Sequence, residues 1–86
     1  MAAYNVVFSK SVKRDVRGVE NIHLARIMEA IRGLANDPFP PGHKRLKGAR
    51  SGYRIRVGQY RVVYEVDIQA ASVTIFHIRH RKEVYR

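Results

Sequence analysis

The segment from residue 53 to residue 64 constrains the fold more than any other part of this 86-residue chain. Apolar or aromatic side chains alternate with mainly cationic or polar ones on both sides of a Gly58-Gln59 pair. Such alternation predicts two half-buried strands, and glycine at the first of two turn positions favours a type II′ hairpin turn. The register that follows pairs Val57 with Tyr60, Arg56 with Arg61, Ile55 with Val62, and Arg54 with Val63.

This register divides the hairpin into two chemically different faces. The face predicted to be covered by helices carries Tyr53, Ile55, Val57, Tyr60, Val62 and Tyr64. The other carries Arg54, Arg56 and Arg61, and Arg56 lies directly opposite Arg61. Like charges in that arrangement destabilise a sheet, so we predict that an anion binds there, since guanidinium groups suit phosphate oxygens. A solvated strand face made soluble by its charge is the alternative.

The residues before the hairpin predict one strand and two helices. Residues 4–8 alternate as a strand, and Ser9 is a candidate N-cap for a short basic helix that ends near Gly18. Asn21 is a candidate cap for a second helix, which ends at Asn36-Asp37-Pro38. Its apolar stripe consists of Leu24, Ile27, Met28, Ile31, Leu34 and Ala35.

A basic loop from His43 to Gly52 then leads into three strands, predicted over residues 53–57, 60–66 and 72–78. The chain is long enough for one core only, so residues 1–86 are expected to form a single domain. The predicted fold class is α+β in the order β-α-α-β-β-β. Two N-terminal helices should pack on one face of a small, mainly antiparallel sheet, and the other face should be free to work.

Composition narrows the possible functions. Seventeen lysines and arginines against seven acidic residues give a formal charge of +10, which favours nucleic acid or an acidic protein as partner. The chain has no cysteine, so disulfides and thiolate chemistry are excluded. We expect a cytoplasmic protein without a membrane span, because no apolar run is long enough and the N-terminus lacks signal-peptide features. The four histidines are scattered, so no metal site and no cofactor are predicted.

The C-terminal segment adds cations and a phenol. Arg79 and Arg81 precede Tyr85, which follows the last predicted strand. A phenol among several fixed positive charges loses its proton more readily, so Tyr85 is a candidate general base. His80 is a conceivable proton donor, although its strand parity relative to Arg79 directs it to the opposite face.

The segments 53–64 and 80–85 resemble the two hallmark blocks of the RelE family, within the RelE/ParE toxin superfamily. The first strand, the helical pair and the Leu46-Lys47-Gly48 loop also fall where that family has them, and the R-x-x-V-Y ending at Tyr85 is a more specific signal than the charge. The resemblance implies a type II toxin that enters the ribosomal A site and cleaves mRNA there. It also implies neutralisation by a cognate antitoxin, which we expect to be acidic because it must mask a +10 domain.

Active-site positions are implied by the same resemblance. They are Arg54, Arg56, Arg61, Arg79 and Tyr85, with Arg81 in the same block. Two family positions that are commonly lysine are here Arg54 and Arg56. Arginine remains protonated, so their role should be electrostatic, while Tyr85 would activate the RNA 2′-OH. Arg79 and Arg81 would position the phosphate or favour loss of the phenol proton, and attack by a 2′-OH requires no metal.

Cations outside this cluster are candidate contacts to the RNA backbone of the ribosome. In the basic loop they are Lys44, Arg45, Lys47 and Arg50, and on the first helix Lys10, Lys13, Arg14 and Arg17. Two other functions stay open. A ParE-like protein of the same fold would inhibit DNA gyrase, and a non-catalytic module would only bind RNA, although such modules usually present aromatic rings on an open sheet.

Overall fold

The computed structural model describes residues 3–47 and 52–84. The strands are β1 (Asn5–Phe8), β2 (Lys44–Arg45), β3 (Gly52–Val57), β4 (Tyr60–Asp67) and β5 (Ser72–His80). The helices are α1 (Lys10–Asp15), α2 (Asn21–Leu34) and α3 (Arg81–Val84), and a 3₁₀ turn (Val16–Gly18) follows α1. The predicted order is confirmed, with the two-residue β2 and the short α3 as additions. No helix among the described residues is long and apolar enough to cross a membrane.

The strands form one five-stranded sheet in the order β1-β5-β4-β3-β2. β1 runs parallel to β5, and every other pair is antiparallel. The predicted hairpin register is confirmed, including Arg56 opposite Arg61. Gly58 has a φ of +60°, and Gln59 keeps a negative φ, which is the combination that a type II′ turn requires.

The core lies between the sheet and the two longer helices. Its helical side is supplied mainly by Ile27, Ile31 and Leu34 of α2, all at most 1% exposed, with Val12 from α1. The three α2 residues belong to the predicted stripe, and burying each contributes about 1.5–3 kcal/mol. The sheet side of the core comprises Ile55, Val62, Tyr64, Val66, Val73, Ile75 and Ile78.

A β-bulge at Phe76 decides which face the end of β5 presents. Tyr64 pairs with Ile75 and Val63 pairs with His77, so Phe76 is an extra residue on β5. An unbroken alternation from Ile75 would direct His77 and Arg79 into the core. The bulge reverses the alternation, so Ile78 is buried and Arg79 lies on the same face as Arg61.

Several boundary predictions need correction. Ser9 occupies the N-cap position of α1, but its hydroxyl donates to the carbonyl of Phe76 at 3.2 Å and not to the helix. The first helix is α-helical only to Asp15, and its last turn to Gly18 is 3₁₀. Asn21 is the first residue of α2, and Glu20 precedes it as N-cap without a side-chain hydrogen bond. Strand β5 continues to His80, beyond the predicted end at residue 78.

The proline-rich connection after α2 is held against the sheet by aromatic side chains. The Tyr64 hydroxyl donates to the carbonyl of Pro38 at 2.7 Å, and Tyr53 stacks on Tyr64 with ring centroids 5.9 Å apart. Phe39 packs edge-on to Tyr53, with ring centroids 5.1 Å apart. Burial, with smaller effects from Tyr53 and Asp37, raises the pKa of Tyr64 to about 12. This phenol is therefore structural and is separated from the arginine face.

Candidate functional site

Three arginines form a row across three neighbouring strands. Arg56 of β3 is paired with Arg61 of β4, and Arg61 is paired on its other side with Arg79 of β5. Side chains directly opposite on neighbouring strands have Cβ atoms roughly 4.5–5.5 Å apart. The row therefore concentrates three fixed positive charges on the face of the sheet that the helices leave uncovered.

A second row of paired side chains lies on the same face, two residues along the strands from the first row. Lys44 of β2 is paired with Arg54, Arg54 with Val63, and Val63 with His77 of β5. Two residues along a strand place side chains about 7 Å apart on the same face. Arg54 and His77 therefore flank the arginine row. Lys44 extends the second row to the edge of the sheet.

Arg61, at the centre of the row, is buried, with 9% of its surface exposed. A charge that is partly withdrawn from water is screened less, so its field at a bound anion is stronger than that of a surface arginine. Arg56 is exposed, and Arg54 and Arg79 are half-buried. The row thus combines one recessed charge with accessible ones on both sides.

A small open pocket of about 170 Å³ lies at the hairpin end of this row. It is lined by Arg56, Gly58, Gln59, Tyr60, Arg61 and Arg81. The backbone amide of Arg81 donates to the carbonyl of Gln59 at 2.7 Å, which fixes the start of α3 on the β3–β4 turn. This contact brings Arg81 to the hairpin arginines although it lies 20 positions after Arg61 in the sequence. The pocket therefore offers three guanidinium groups to one anionic group.

His80 lies on the helix side of the sheet, as its parity predicted. Its ring is edge-on to Tyr60 at 5.1 Å, and Tyr60 in turn contacts His23. Nδ1 of His80 accepts a hydrogen bond from the backbone amide of Lys82 at 3.1 Å. In this arrangement Nδ1 carries no proton, so only Nε2 could donate one. The geometry gives His80 a structural role at the start of α3.

Two residues at the site were not predicted from the sequence as site residues. Nδ1 of His77 is 3.4 Å from a carboxylate oxygen of Asp15 and 3.3 Å from a guanidinium nitrogen of Arg79. The same Asp15 oxygen accepts from the amide of Ile78 at 3.0 Å. His77 could have been found from its shared parity with Arg79. Nothing in the sequence indicates Asp15, which is 62 positions away from His77.

The other predicted cations are distributed over several surfaces. Lys44 and Arg45 form β2 beside β3, and the exposed Lys47 follows them. Lys10, Lys13, Arg14 and Arg17 are exposed on α1 and its 3₁₀ turn. Lys13 and Arg14 border two depressions outside the arginine row. Tyr85 and Arg50 lie outside the described residues.

Within residues 3–47 and 52–84, no group of three or more histidine, aspartate or glutamate side chains is placed to hold a metal ion. The prediction of a metal-independent reaction therefore still rests on the chemistry of 2′-OH attack, which needs no metal, and remains to be tested.

Comparison with known proteins identifies the family to which this chain belongs. The model of the ParE toxin of the type II toxin-antitoxin system parDE matches residues 6–85. The chain belongs to the RelE/ParE toxin superfamily. It is therefore a toxin of a type II toxin-antitoxin system, and the expected family is confirmed.

Relatives of this RelE/ParE toxin cover almost its whole length. A protein of Methanocaldococcus jannaschii named RelE1 is 33% identical over 86 aligned positions, which cover 96% of both chains. The toxin RelG of Mycobacterium tuberculosis is 29% identical and covers 96% of this chain and 97% of its own. The crystal structure of the archaeal RelE–RelB complex from Pyrococcus horikoshii OT3 superposes with a TM-score of 0.81 at 28% identity, covering 94% of this chain and 97% of that one.

Proposed function

We propose that this toxin is a ribosome-dependent endoribonuclease that cuts mRNA in the ribosomal A site and so inhibits translation. The observation that carries the proposal is the row of Arg56, Arg61 and Arg79 in register across three strands. Directly opposed like charges repel each other, and a phosphate over the row would attract all three guanidinium groups. Relatives named RelE support the assignment.

The proposed reaction is attack of an RNA 2′-oxygen on the adjacent phosphorus. The 2′-OH proton passes to Tyr85, the new bond to the 2′-oxygen gives a cyclic phosphate, and the bond to the 5′-oxygen breaks. Charge on the nonbridging oxygens increases towards a dianion in the transition state. Arg56 and Arg61 stabilise that charge, because preorganised cations in a partly desolvated site act without reorganisation.

The remaining cations have supporting roles in this mechanism. Arg54 flanks the row from β3. Arg79 ends the row on β5, Arg81 lines the pocket beside Arg56 and Arg61, and both hold the phosphate. Arginine does not exchange its proton at any relevant pH, so the described arginines act by charge alone. The 5′-oxygen needs a proton donor from outside this set. The 2′-OH requirement makes RNA the substrate and excludes DNA as one.

The test is single-turnover cleavage of mRNA on programmed ribosomes, followed by toeprinting. We expect Tyr85→Phe and Arg61→Ala each to slow cleavage at least about 100-fold, in the range for loss of general-base or charge-stabilising groups. The matched control is Arg26→Gln, which removes an exposed arginine from α2 and should leave the rate unchanged. Cleavage should persist in EDTA under conditions that keep ribosomes intact. Unchanged cleavage rates in Tyr85→Phe and Arg61→Ala would contradict the proposed mechanism.

Inhibition of DNA gyrase is the second candidate function, because the matching family model is that of a ParE toxin. It requires no positioned phenol and no RNA phosphate. Measuring DNA supercoiling beside mRNA cleavage separates the two functions. Inhibited supercoiling with intact mRNA would favour the gyrase function and overturn the nuclease proposal.

The partner that we propose is a cognate acidic antitoxin, since a structural relative is a RelE–RelB complex. An apolar groove supports this choice. It runs between α1, α2 and β1, and Phe8 and Met28 line both of its halves. Lys13 and Arg32 lie at its borders. An amphipathic acidic helix would place apolar side chains in the groove and carboxylates against these cations.

A further inference from the structure

We propose that Asp15 and His77 are positioning residues that set the direction of the Arg79 guanidinium group. This inference rests on the proposed function, because it assigns Arg79 to an RNA phosphate. Asp15 comes from the end of α1, and His77 and Arg79 come from β5. The three side chains form a chain of contacts from a helix end to the arginine row.

Asp15 is itself fixed by the backbone. Strand β1 covers the edge of β5 only as far as the pair Phe8 and Ile75. Beyond that point the amide of Ile78 would have no strand partner on this side, and it donates to Asp15 Oδ2 at 3.0 Å. The carboxylate thus takes the place of a neighbouring strand, and its position does not depend on His77.

His77 connects this carboxylate to Arg79 through a single atom. Nδ1 lies 3.4 Å from Asp15 Oδ2 and 3.3 Å from Arg79 Nη2. In a neutral imidazole a given nitrogen either donates or accepts. If Nδ1 carries the proton it donates to Asp15, and if it does not it accepts from Arg79. The two contacts are therefore alternatives, and the imidazole can hold Arg79 in one state and release it in the other.

Few groups surround His77 that could influence whether its Nδ1 donates to Asp15 or accepts from Arg79. Its directly opposite neighbour on β4 is the uncharged Val63, and Arg61 lies one pair along on the same face. Asp15 is the charged group that reaches it from α1, and Arg79 is the one on its own strand. Without RNA, Nδ1 accepts from Arg79 and holds its guanidinium group beside the row. When a phosphate draws Arg79 away, the negative charge of Asp15 favours the state in which Nδ1 donates to that carboxylate, so Arg79 is released to the phosphate.

This arrangement serves the proposed reaction because Arg79 must be available when RNA arrives and ordered beforehand. An arginine that swings freely loses side-chain entropy when it binds, and a tethered one loses less. In this scheme neither Asp15 nor His77 touches the RNA phosphate, so both act only through Arg79.

The first experiment follows the guanidinium Nε–Hε signal of Arg79 by NMR in the full chain without RNA. We expect the signal to shift or broaden in Asp15→Asn and in His77→Ala. Asn retains an oxygen that can accept from Ile78, and His77→Ala leaves the Asp15 contact with Ile78 in place, so both variants should fold. Glu65→Gln, an exposed acid on the same face, is the matched control and should leave the signal unchanged.

The second experiment measures single-turnover cleavage on programmed ribosomes. Asp15→Asn and His77→Ala should each slow cleavage about tenfold, the value of one hydrogen bond to a charged group. His77→Gln should recover most of the rate, because its amide can donate to Asp15 and accept from Arg79. In an Arg79→Ala background Asp15→Asn should have no further effect on affinity for a fully 2′-O-methylated RNA, since the pair is then uncoupled.

An unchanged Arg79 signal in both variants would overturn the proposal whether or not the protein cleaves RNA. A shifted signal with unchanged cleavage in Asp15→Asn would overturn the role in the reaction. If the wild type fails to cleave RNA, the proposed function fails, and the NMR result alone then decides whether Asp15 positions Arg79.

Discussion

Arg61 and Arg79 lie directly opposite each other on β4 and β5. Arg61 is buried, and Arg56 faces it on the other side. Directly opposed like charges are unfavourable in a sheet, so we expect these guanidinium groups to repel one another. A bound phosphate would convert that repulsion into attraction, which has consequences for both stability and anion binding.

Replacing Arg56 by glutamine should stabilise the fold and weaken the activity. Arg56 is exposed and faces Arg61, so the variant relieves repulsion of about 0.5 kcal/mol, typical of a cross-strand pair. Urea unfolding should show a higher free energy of unfolding, while cleavage on ribosomes should fall at least about tenfold, as expected for loss of a charge that stabilises the transition state. Arg26→Gln should change neither quantity. A destabilised Arg56→Gln protein would contradict the electrostatic interpretation of the row.

Inorganic phosphate should raise the melting temperature of the protein more than chloride at equal ionic strength. A ligand that binds only the folded state stabilises it by mass action, and equal ionic strength removes the general screening effect. The difference between the two anions should disappear in Arg61→Gln and persist in Arg26→Gln. Differential scanning fluorimetry measures it. An equal response of both variants would mean that phosphate binds elsewhere on this +10 protein.

Tyr64 should make the protein sensitive to alkali. Its pKa is raised from 10.0 to about 12 in the folded state, chiefly by burial, so folding favours the protonated phenol. The folded chain then binds more protons than the unfolded chain between these values. The stability that depends on a protonated Tyr64 is complete below pH 10. As the pH rises towards 12, the free energy of unfolding falls by up to about 3 kcal/mol. Tyr64→Phe lacks this dependence, so its deficit in free energy of unfolding should shrink and then reverse across the interval.

The comparison of wild type with Tyr64→Phe contains its own control, because lysines and the other tyrosines titrate in both proteins and cancel in the difference. At neutral pH the variant should be about 1 kcal/mol less stable, since it lacks the hydrogen bond to Pro38. A constant difference across the interval from the ordinary pKa of 10.0 to about 12 would show that the phenol is not held in its protonated form.

Met28→Glu should weaken antitoxin binding without affecting cleavage. Met28 is half-buried and lines both halves of the apolar groove, so a carboxylate there would oppose an acidic partner and an apolar contact together. Titration calorimetry with the cognate antitoxin should show at least about a tenfold loss of affinity, as for a central interface position. Ribosomal cleavage by the free variant should equal that of the wild type. Normal affinity would mean that the antitoxin uses another surface.

The sequence predicted the hairpin and α2 more accurately than the other elements. The alternation of residues 53–64 and the glycine at position 58 determine the register, because a two-residue turn leaves no freedom in pairing. The stripe of α2 follows from helical periodicity, and three of its residues are in the core. The helix caps were less predictable, since Ser9 uses its hydroxyl for the carbonyl of Phe76 on a distant strand.

What the sequence determined by itself is the local part of the site: Arg56 beside Arg61, an outward face of arginine, and a cationic ending after the last strand. These follow from interactions between near neighbours in the chain. Only the tertiary structure decided that Arg79 joins the row and that Asp15 reaches His77. The bulge at Phe76 reverses the strand alternation, and the end of β1 leaves an amide of β5 for Asp15, and both depend on how distant segments pack.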